Sequence, residues 1–409
     1  MPHLHPNMSI GERITIWRVY RGLTQEACAG LCGKSLSWWK KVEQGVRHVE
    51  KLSDLIAIAQ VLRIKDLSDL TGVFQLSLSH DAKTGHPALA AVRRALVSYD
   101  IVGDQPEEPA APSTITDRNA EVWRVWHEEP RFYSRTGELL PGLITDATLA
   151  HRYAADSDRR AAARALSETY HLARQWLRKV GEYQLSWIAA DRGMTAAQEA
   201  DDPYLIAASA WNVVALYNAM GRAEEAQAVA LDGIAMLEPL LPDGSEDHLA
   251  MWGSLQLYAS ISTARCGDPG TAWRMWDAAD QAARRLGPQY CHPWTIFGQT
   301  NVGAYAVGIP VELGKASEAV RAAERLDAAH LQSVERRARY LVDVARGYVG
   351  RRDDVAALHV LLQAEGESPE EVAHNLIVHE IVREMLRRDR KTITHELRGL
   401  AGRVGVVHA

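Results

Sequence analysis

Residues 23–45 read LTQEACAGLCGKSLSWWKKVEQG, and this segment limits the possible folds more than any other part of the chain. Thr24 and Ser35 are residue types that cap helix N-termini, and Gly33 between them favours the left-handed conformation that ends a helix. The segment therefore predicts two short helices joined by a tight turn.

The second of these helices has two chemically different faces. Trp39 and Val42 are spaced to face the core of a small bundle. The other side carries the residues with which a recognition helix would meet the major groove of DNA. These are Leu36, Ser37, Lys40 and Lys41. For Lys40 and Lys41, a solvated helix face is the alternative interpretation.

Residue for residue from Leu23 to Gly45, the chain resembles the XRE/Cro/repressor family of helix-turn-helix domains. Apolar stripes of a first and a fourth helix extend the resemblance to about the first 72 residues, and the family implies a compact bundle of four or five helices. The stripes are Ile10, Ile14 and Trp17, then Leu52, Leu55, Ile56, Ala59 and Leu62.

The resemblance also implies roles for single residues. Leu36, Ser37 and Lys41 would approach base edges, and an internal ion pair would join Arg18 to Glu43. The expected phosphate contacts are Gln25, Lys40, Gln44 and Arg47. Many relatives carry Arg or Gln at the position of Leu36, which here offers only apolar contact, for example to a thymine methyl group.

Charge is divided unevenly between the two parts of the chain. Residues 1–72 hold 10 Lys+Arg and 7 Asp+Glu, a net charge of +3, whereas the remainder holds 36 and 45, a net charge of −9. A cationic part can displace counterions from DNA phosphates, while an acidic part is repelled by the duplex. This asymmetry supports DNA binding by residues 1–72.

The composition is that of an ordinary soluble protein, with 47% hydrophobic and 24% charged residues. No apolar run has the length of a membrane span, and the N-terminus lacks the pattern of a signal peptide. We therefore expect a cytoplasmic protein without membrane contact. The four cysteines show no paired framework, so reduced thiols are expected, and Cys28 and Cys32 occupy positions of buried aliphatic residues in the family.

Between the two parts we expect a connecting segment, residues 73–116. It contains a short helix at about residues 87–98 and a proline-rich linker at residues 104–113. Residues 117–409 then show helical periodicity with almost no strand signal. The predicted fold class is all-α, a helix-turn-helix bundle followed by a helical solenoid.

A recurring glycine turn followed by an Ala-rich helix divides residues 160–365 into units that resemble tetratricopeptide repeats. The turn glycines are Gly181, Gly221, Gly267, Gly314 and Gly350. Five residues after the turn, the three central units carry Ala226, Ala272 and Ala319, whereas the first and last carry Ser186 and Val355. The order of domains resembles the peptide-pheromone-responsive tetratricopeptide regulators.

A common register on the turn glycines projects one set of side chains into the groove that such a solenoid would form. The candidate ligand contacts are Gln175, Arg178, Trp211, Asn218, Arg265, Asn301 and Tyr340, with Arg337 at the position that corresponds to Asn301. An Asn301 amide could hold an extended peptide backbone. A helix cap or a hydrogen bond between hairpins is the alternative for Asn301.

Catalytic signatures are missing from the sequence. His379-Glu380 lacks a second histidine at zinc-protease spacing, and neither a P-loop nor a nucleophile elbow occurs. We expect no enzyme, no catalytic residue, no metal and no cofactor.

The function that the sequence predicts is a sequence-specific transcriptional regulator. It would bind double-stranded DNA as a homodimer at a palindromic operator and sense a peptide or small molecule through its repeats. A protein-docking scaffold with a weak DNA anchor is the first alternative, and a regulator without a ligand that docks another transcription factor is the second.

Overall fold

The computed structural model describes residues 8–47, 49, 52–62, 64, 70, 86–98, 109–388 and 393–406. Within these ranges all regular structure is helical, which confirms the all-α prediction. The chain divides into two compact units, residues 1–85 and residues 86–409. No helix in the described ranges is both long enough and apolar enough to span a bilayer.

The first unit is a small helical bundle. Among the described residues its helices are α1 (Ile10–Tyr20), α2 (Gln25–Leu31), α3 (Leu36–Glu43) and α4 (Leu52–Val61). The side chains of Ser9, Thr24 and Ser35 cap the first three, as the sequence predicts for the latter two. The buried centre includes Ile14, Trp17, Trp39, Val42, Ile58 and Leu62. The expected core contributions of Leu52 and Ile56 concern side chains outside the described set.

The second unit begins with two elements that precede the repeats. They are α5 (Leu89–Val97) and the helix pair α6 (Pro112–Glu128) and α7 (Phe132–Arg152). Val92 and Leu96 of α5 are fully buried in one core with α6 and α7. Helix α6 starts at Pro112 rather than at the expected boundary of residue 117, because proline fits the first helical position, where no backbone N–H is needed. Of the predicted linker, residues 104–108 lie outside the described residues.

In the described part of the chain, five helical hairpins follow, and then three C-terminal helices. The hairpins are α8 (Arg159–Lys179) with α9 (Tyr183–Glu199), α10 (Pro203–Ala219) with α11 (Ala223–Leu237), α12 (Glu246–Arg265) with α13 (Pro269–Leu286), α14 (Gln299–Glu312) with α15 (Ala316–Ala323), and α16 (Val334–Gly350) with α17 (Asp354–Glu367). The C-terminal helices are α18 (Pro369–His374), α19 (Leu376–Arg388) and α20 (Thr394–Arg403). The first helices of successive hairpins contact each other, so α8, α10, α12, α14 and α16 form one continuous layer.

Four of the five expected turn glycines lie in the left-handed region of backbone space. The φ angles of Gly181, Gly221, Gly267 and Gly314 are 85°, 73°, 83° and 70°. The fifth turn differs, because Gly350 is still inside α16 and Arg352, with φ 60°, takes the left-handed position. The register of the last hairpin is therefore two residues later than the glycine pattern predicts.

This shift restores the repeat pattern at the position five residues after the turn. Ala357 is there and is fully buried, like its counterparts in the three central hairpins, Ala226, Ala272 and Ala319. Val355, which the glycine register placed there, is 50% exposed. In the first hairpin, Ser186 is buried and donates its hydroxyl to the Arg174 carbonyl at 3.0 Å. A small side chain at this position lets the two helices of each hairpin pack closely.

The two ends of the second unit meet, and the solenoid closes on itself. Glu371 of α18 accepts a hydrogen bond from the Tyr133 hydroxyl at 2.8 Å and from the Lys179 ammonium at 2.8 and 2.9 Å. Lys179 also contacts Glu335 at 2.7 Å. Glu370 accepts hydrogen bonds from the backbone N–H groups of Tyr133 and Ser134. Residues more than 230 positions apart in the chain are thus joined by buried charge-assisted contacts.

Candidate functional site

Helix α3, which the sequence predicts to be the recognition helix, is fixed by its cap and its buried face. The Ser35 hydroxyl accepts a hydrogen bond from the Trp38 backbone N–H at 3.1 Å. Trp39 and Val42 are buried, as the sequence predicts. Of the predicted DNA contacts on this helix, Ser37, Lys40 and Lys41 are exposed, and Leu36 is half-buried.

Glu43 at the end of α3 joins three elements of the bundle. Its carboxylate accepts hydrogen bonds from the Arg18 guanidinium at 2.6 and 3.1 Å, from the Gln25 amide at 2.6 Å and from the Trp39 indole at 2.8 Å. The predicted Arg18–Glu43 ion pair is therefore confirmed. Gln25 gives one amide N–H to Glu43, which leaves the second N–H of the same nitrogen for a phosphate.

The turn after α3 carries the remaining predicted phosphate contacts. Gln44 and Arg47 are both exposed. Gly45, with φ 72°, reverses the chain, and the Arg47 backbone N–H then bonds to the Lys41 carbonyl at 3.0 Å. The turn therefore brings Arg47 back beside the last turn of α3.

The two cysteines of the bundle are protonated thiols at neutral pH. Cys28 is buried, and burial raises its pKa. Burial, together with the nearby Cys28 and Asp54, raises the pKa of Cys32 to about 11. With a raised pKa, neither thiol is activated as a nucleophile.

In the second unit, the first helix of each of the five hairpins contributes to one group of buried and half-buried polar and aromatic side chains, which we name the arginine–aromatic cluster. Its members are Arg174 and Arg178 of α8, Trp211 of α10, Tyr258 of α12, Tyr305 of α14, and Arg336 and Arg339 of α16. Tyr258 stacks on Trp211 with ring centroids 5.0 Å apart, and its centroid is 6.2 Å from that of Tyr305. Arg174 lies 5.5 Å from the Trp211 ring, and Arg336 lies 4.5 Å from the Tyr305 ring.

Two predicted ligand contacts bind the cluster through their side-chain amides. Gln175 accepts hydrogen bonds from Arg174 at 2.8 Å and from Arg178 at 3.3 Å. Asn301 accepts one from Arg336 at 2.5 Å and donates one to the Thr295 carbonyl at 3.3 Å. Asn301 therefore makes the hydrogen bond between hairpins that was its alternative interpretation.

Asn218, Arg265 and Tyr340 belong to other contacts. Arg265 pairs with Glu312 at 2.8 Å and donates to the Asn218 carbonyl at 2.6 Å, close to the hairpin turns. The Tyr340 hydroxyl donates to the Ala323 carbonyl of α15 at 3.3 Å. These three residues are not connected to the arginine–aromatic cluster by the contacts of the described residues.

The register of the last hairpin is two residues later than the glycine pattern predicts, so Tyr340 does not occupy the groove position that the pattern assigned to it. With Arg352 as the turn residue, Arg339 replaces Arg337 as the counterpart of Asn301. Arg337 instead pairs with Glu367 at 2.8 Å. The sequence pattern did not indicate Arg174, Tyr258, Tyr305, Arg336 and Arg339. The small residue five positions after each turn, which in the last hairpin is Ala357, could have revealed the correct register for Arg339.

The segment between α13 and α14, residues 287–298, packs against α8 and α10. The Trp294 ring centroid lies 6.1 Å from that of His171 and 5.7 Å from that of Tyr204. His171 in turn contacts the Ser209 hydroxyl at 2.8 Å. Burial and the nearby Arg174 lower the pKa of His171 to about 3, so this ring is neutral.

Comparisons with known proteins agree with the bundle in the first unit. A family described as a helix-turn-helix domain matches residues 9–70. No curated protein matches the chain. Among solved structures, the chain is similar to Bacillus thuringiensis PlcR, crystallised in complex with the peptide PapR7 and DNA. The identity is 12%, the match covers 86% of this chain and 99% of PlcR, and the TM-score of 0.28 is too low to carry an argument. The family match confirms the predicted helix-turn-helix domain: residues 9–70 are a helix-turn-helix domain.

Proposed function

We propose that this protein is a sequence-specific, DNA-binding transcriptional regulator that acts in the cytoplasm and catalyses no reaction. The observation that carries the proposal is α3, whose buried face anchors it through Trp39 and Val42 while Ser37, Lys40 and Lys41 are exposed. A helix held in this way can enter the major groove without refolding. Leu36, Ser37 and Lys41 would read bases, and Gln25, Lys40, Gln44 and Arg47 would bind phosphates.

The second unit supports a sensing role within the same proposal. Stacked hairpins bring side chains from five separate helices together at the arginine–aromatic cluster. Gln175, Arg178, Trp211 and Asn301 would take part in binding a peptide or small molecule there. We further propose that the second units of two chains form the homodimer contact. The two helix-turn-helix domains would then bind a palindromic operator with half-sites about 34 Å apart. Ligand binding would then be coupled to DNA affinity.

The test is to incubate the purified full chain with fragmented DNA of its own genome at near-physiological salt and to sequence the retained fragments. We expect a shared palindromic site that the Lys41→Ala protein no longer retains. Lys315→Ala is the matched control, because it removes the same charge from an exposed site at the turn between α14 and α15. The Lys315→Ala protein should still retain the palindromic site.

Diffuse recovery that is equal for wild type and Lys41→Ala would contradict the proposal. It would favour the alternative in which the repeats dock a partner protein and the helix-turn-helix domain is only a weak DNA anchor. A regulator discriminates between sites by orders of magnitude, whereas a weak anchor does not.

A further inference from the structure

The arginine–aromatic cluster contains more positive than negative charge. Four guanidiniums belong to it, whereas the carboxylates that act on them are Glu335, which already contacts Lys179 at 2.7 Å, and Asp343, which also pairs with Arg346 at 3.2 Å. Lys179 is in turn shared with Glu371. Glu335 is shared by Lys179, Arg336 and Arg339, and all three act to hold the pKa of Glu335 well below its usual range against its burial.

Arg174 is the least compensated of the four arginines. Its side chain is 0% exposed, and one nitrogen donates to the Gln175 amide oxygen. Its Nε and second terminal nitrogen have no hydrogen-bond partner among the described residues, and the same is true of Nε of Arg178. Both arginines donate to the same Gln175 oxygen, so their guanidiniums lie side by side.

The pKa values of Tyr258 and Arg174 indicate the sign of the electrostatic potential at the arginine–aromatic cluster. Burial acts to raise the pKa of the Tyr258 phenol, yet Arg339, Arg178 and Arg174 together outweigh it and lower that pKa. Burial and the like charge of Arg178 lower the pKa of Arg174 to about 9, which leaves it charged at neutral pH. At Tyr258 the guanidiniums therefore favour the negative phenolate more than burial disfavours it, whereas burial still raises the pKa of Tyr305.

We propose that the cluster is the binding site for an anionic group, a carboxylate or a phosphate, held by the free donors of Arg174 and Arg178 with the Trp211–Tyr258 stack as its apolar wall. Guanidinium groups recognise both anions through paired N–H donors, and an aromatic stack beside them suits a ligand with an apolar part. This inference rests on the proposed ligand-sensing function and adds the chemical class of the ligand.

The test measures thermal unfolding of the full chain at constant ionic strength in chloride, inorganic phosphate and acetate. We expect phosphate or acetate to raise the Tm of the wild type by about 5 °C at a concentration a hundredfold above its Kd. A response to phosphate alone indicates a phosphate-bearing ligand, and a response to acetate alone indicates a carboxylate. Arg174→Met should lose the response.

The same variant separates a ligand-binding role from a structural one. Because Arg174→Met removes an uncompensated buried charge, its Tm in chloride should equal or exceed that of the wild type. Arg160→Gln is the matched control on the same helix, since Arg160 is exposed and paired with exposed Asp201, and it should keep the full anion response. If Arg174→Met does not fold, Arg178→Met, which is only half-buried, takes its place.

A second measurement follows Tyr258 by its phenolate absorbance, with Tyr258→Phe to assign the signal. Bound anion should raise the pKa of Tyr258, because it neutralises the guanidiniums that lower it. Equal Tm responses in wild type and Arg174→Met, or a Tyr258 pKa that phosphate and acetate leave unchanged, would overturn the inference. Since no DNA is present, failure here is distinct from failure of the genomic retention experiment.

Discussion

Glu43 accepts two hydrogen bonds from the guanidinium of Arg18, at 2.6 and 3.1 Å, and is itself only 4% exposed on its side chain. This contact ties the last residue of α3 to α1 and so sets the angle of the recognition helix. Removing one partner of a buried ion pair leaves the other charge unpaired.

We therefore expect Glu43→Gln to destabilise the first unit by about 3 kcal/mol. Amide hydrogen exchange of α1 to α3 measures the change as a loss of protection of about 100-fold. Glu26→Gln, an exposed residue of α2, is the control and should leave protection unchanged. Unchanged protection in Glu43→Gln would show that Arg18 and Glu43 do not fix the bundle.

Lys40 and Lys41 are expected to affect DNA binding differently. Lys40→Ala should weaken binding to all sequences and reduce the slope of log K against log salt by about 1, as the loss of one phosphate contact requires. Lys41→Ala should instead reduce the preference for the operator over other DNA. Salt titrations with operator and random duplexes distinguish the two effects, and identical behaviour of both variants would contradict the assigned roles.

Glu371 closes the second unit through Lys179 and the Tyr133 hydroxyl. Because Glu371 is fully buried, Glu371→Gln should cost about 3 kcal/mol and increase hydrogen exchange first in α7 and α18. Glu318→Gln in α15, where the side chain is 43% exposed, is the control for loss of a carboxylate. Equal exchange in both variants would mean that this contact does not hold the closure.

Buried histidines should make the second unit sensitive to acid. Burial lowers the pKa of His127 to about 4 and, with Arg174, that of His171 to about 3, from 6.5. A histidine whose pKa is lowered by folding stabilises the folded state above pH 6.5. This stabilisation is lost as the pH falls, because the unfolded chain then binds more protons than the folded chain. Each of these two histidines should lower the free energy of unfolding by about 2 kcal/mol between pH 6.5 and pH 5.

Glu168 acts in the opposite direction, since burial raises its pKa to about 7. The stabilisation of the folded state by Glu168 is fully present below pH 4.5 and is lost as the pH rises through 7. The fall in Tm between pH 7 and 5 should therefore be shallower in His171→Gln and steeper in Glu168→Gln. Parallel Tm profiles for these variants and the wild type would refute the assignment.

The hairpin turns can be tested with two glycines that both have open space for a methyl group. Gly314→Ala should destabilise by about 1 kcal/mol, because φ is 70° there and L-residues avoid that region. Gly366→Ala, within helix α17, should stabilise by about 0.5–1 kcal/mol through reduced freedom of the unfolded chain. Equal shifts in thermal unfolding would contradict this assignment of the turn.

The sequence determined the features that depend on neighbouring residues. The caps at Thr24 and Ser35, the buried face of α3 and the left-handed glycines of four turns are set within a few positions of the chain, so local patterns predict them. The last turn differs from this pattern because Arg352 adopts the left-handed conformation without being a glycine. The projected groove residues of that hairpin, Arg337 and Tyr340, were therefore misplaced by two positions.

Only the tertiary structure decided the closure of the second unit and the arginine–aromatic cluster. Lys179 meets Glu371 across 192 positions of the chain, and such a contact depends on the small rotations that accumulate over all five hairpins. The cluster likewise takes side chains from five different helices, each of which alone shows only a polar or aromatic residue on an ordinary helix. Helical periodicity reports which residues share a face, but the curvature of the stacked hairpins determines which faces meet.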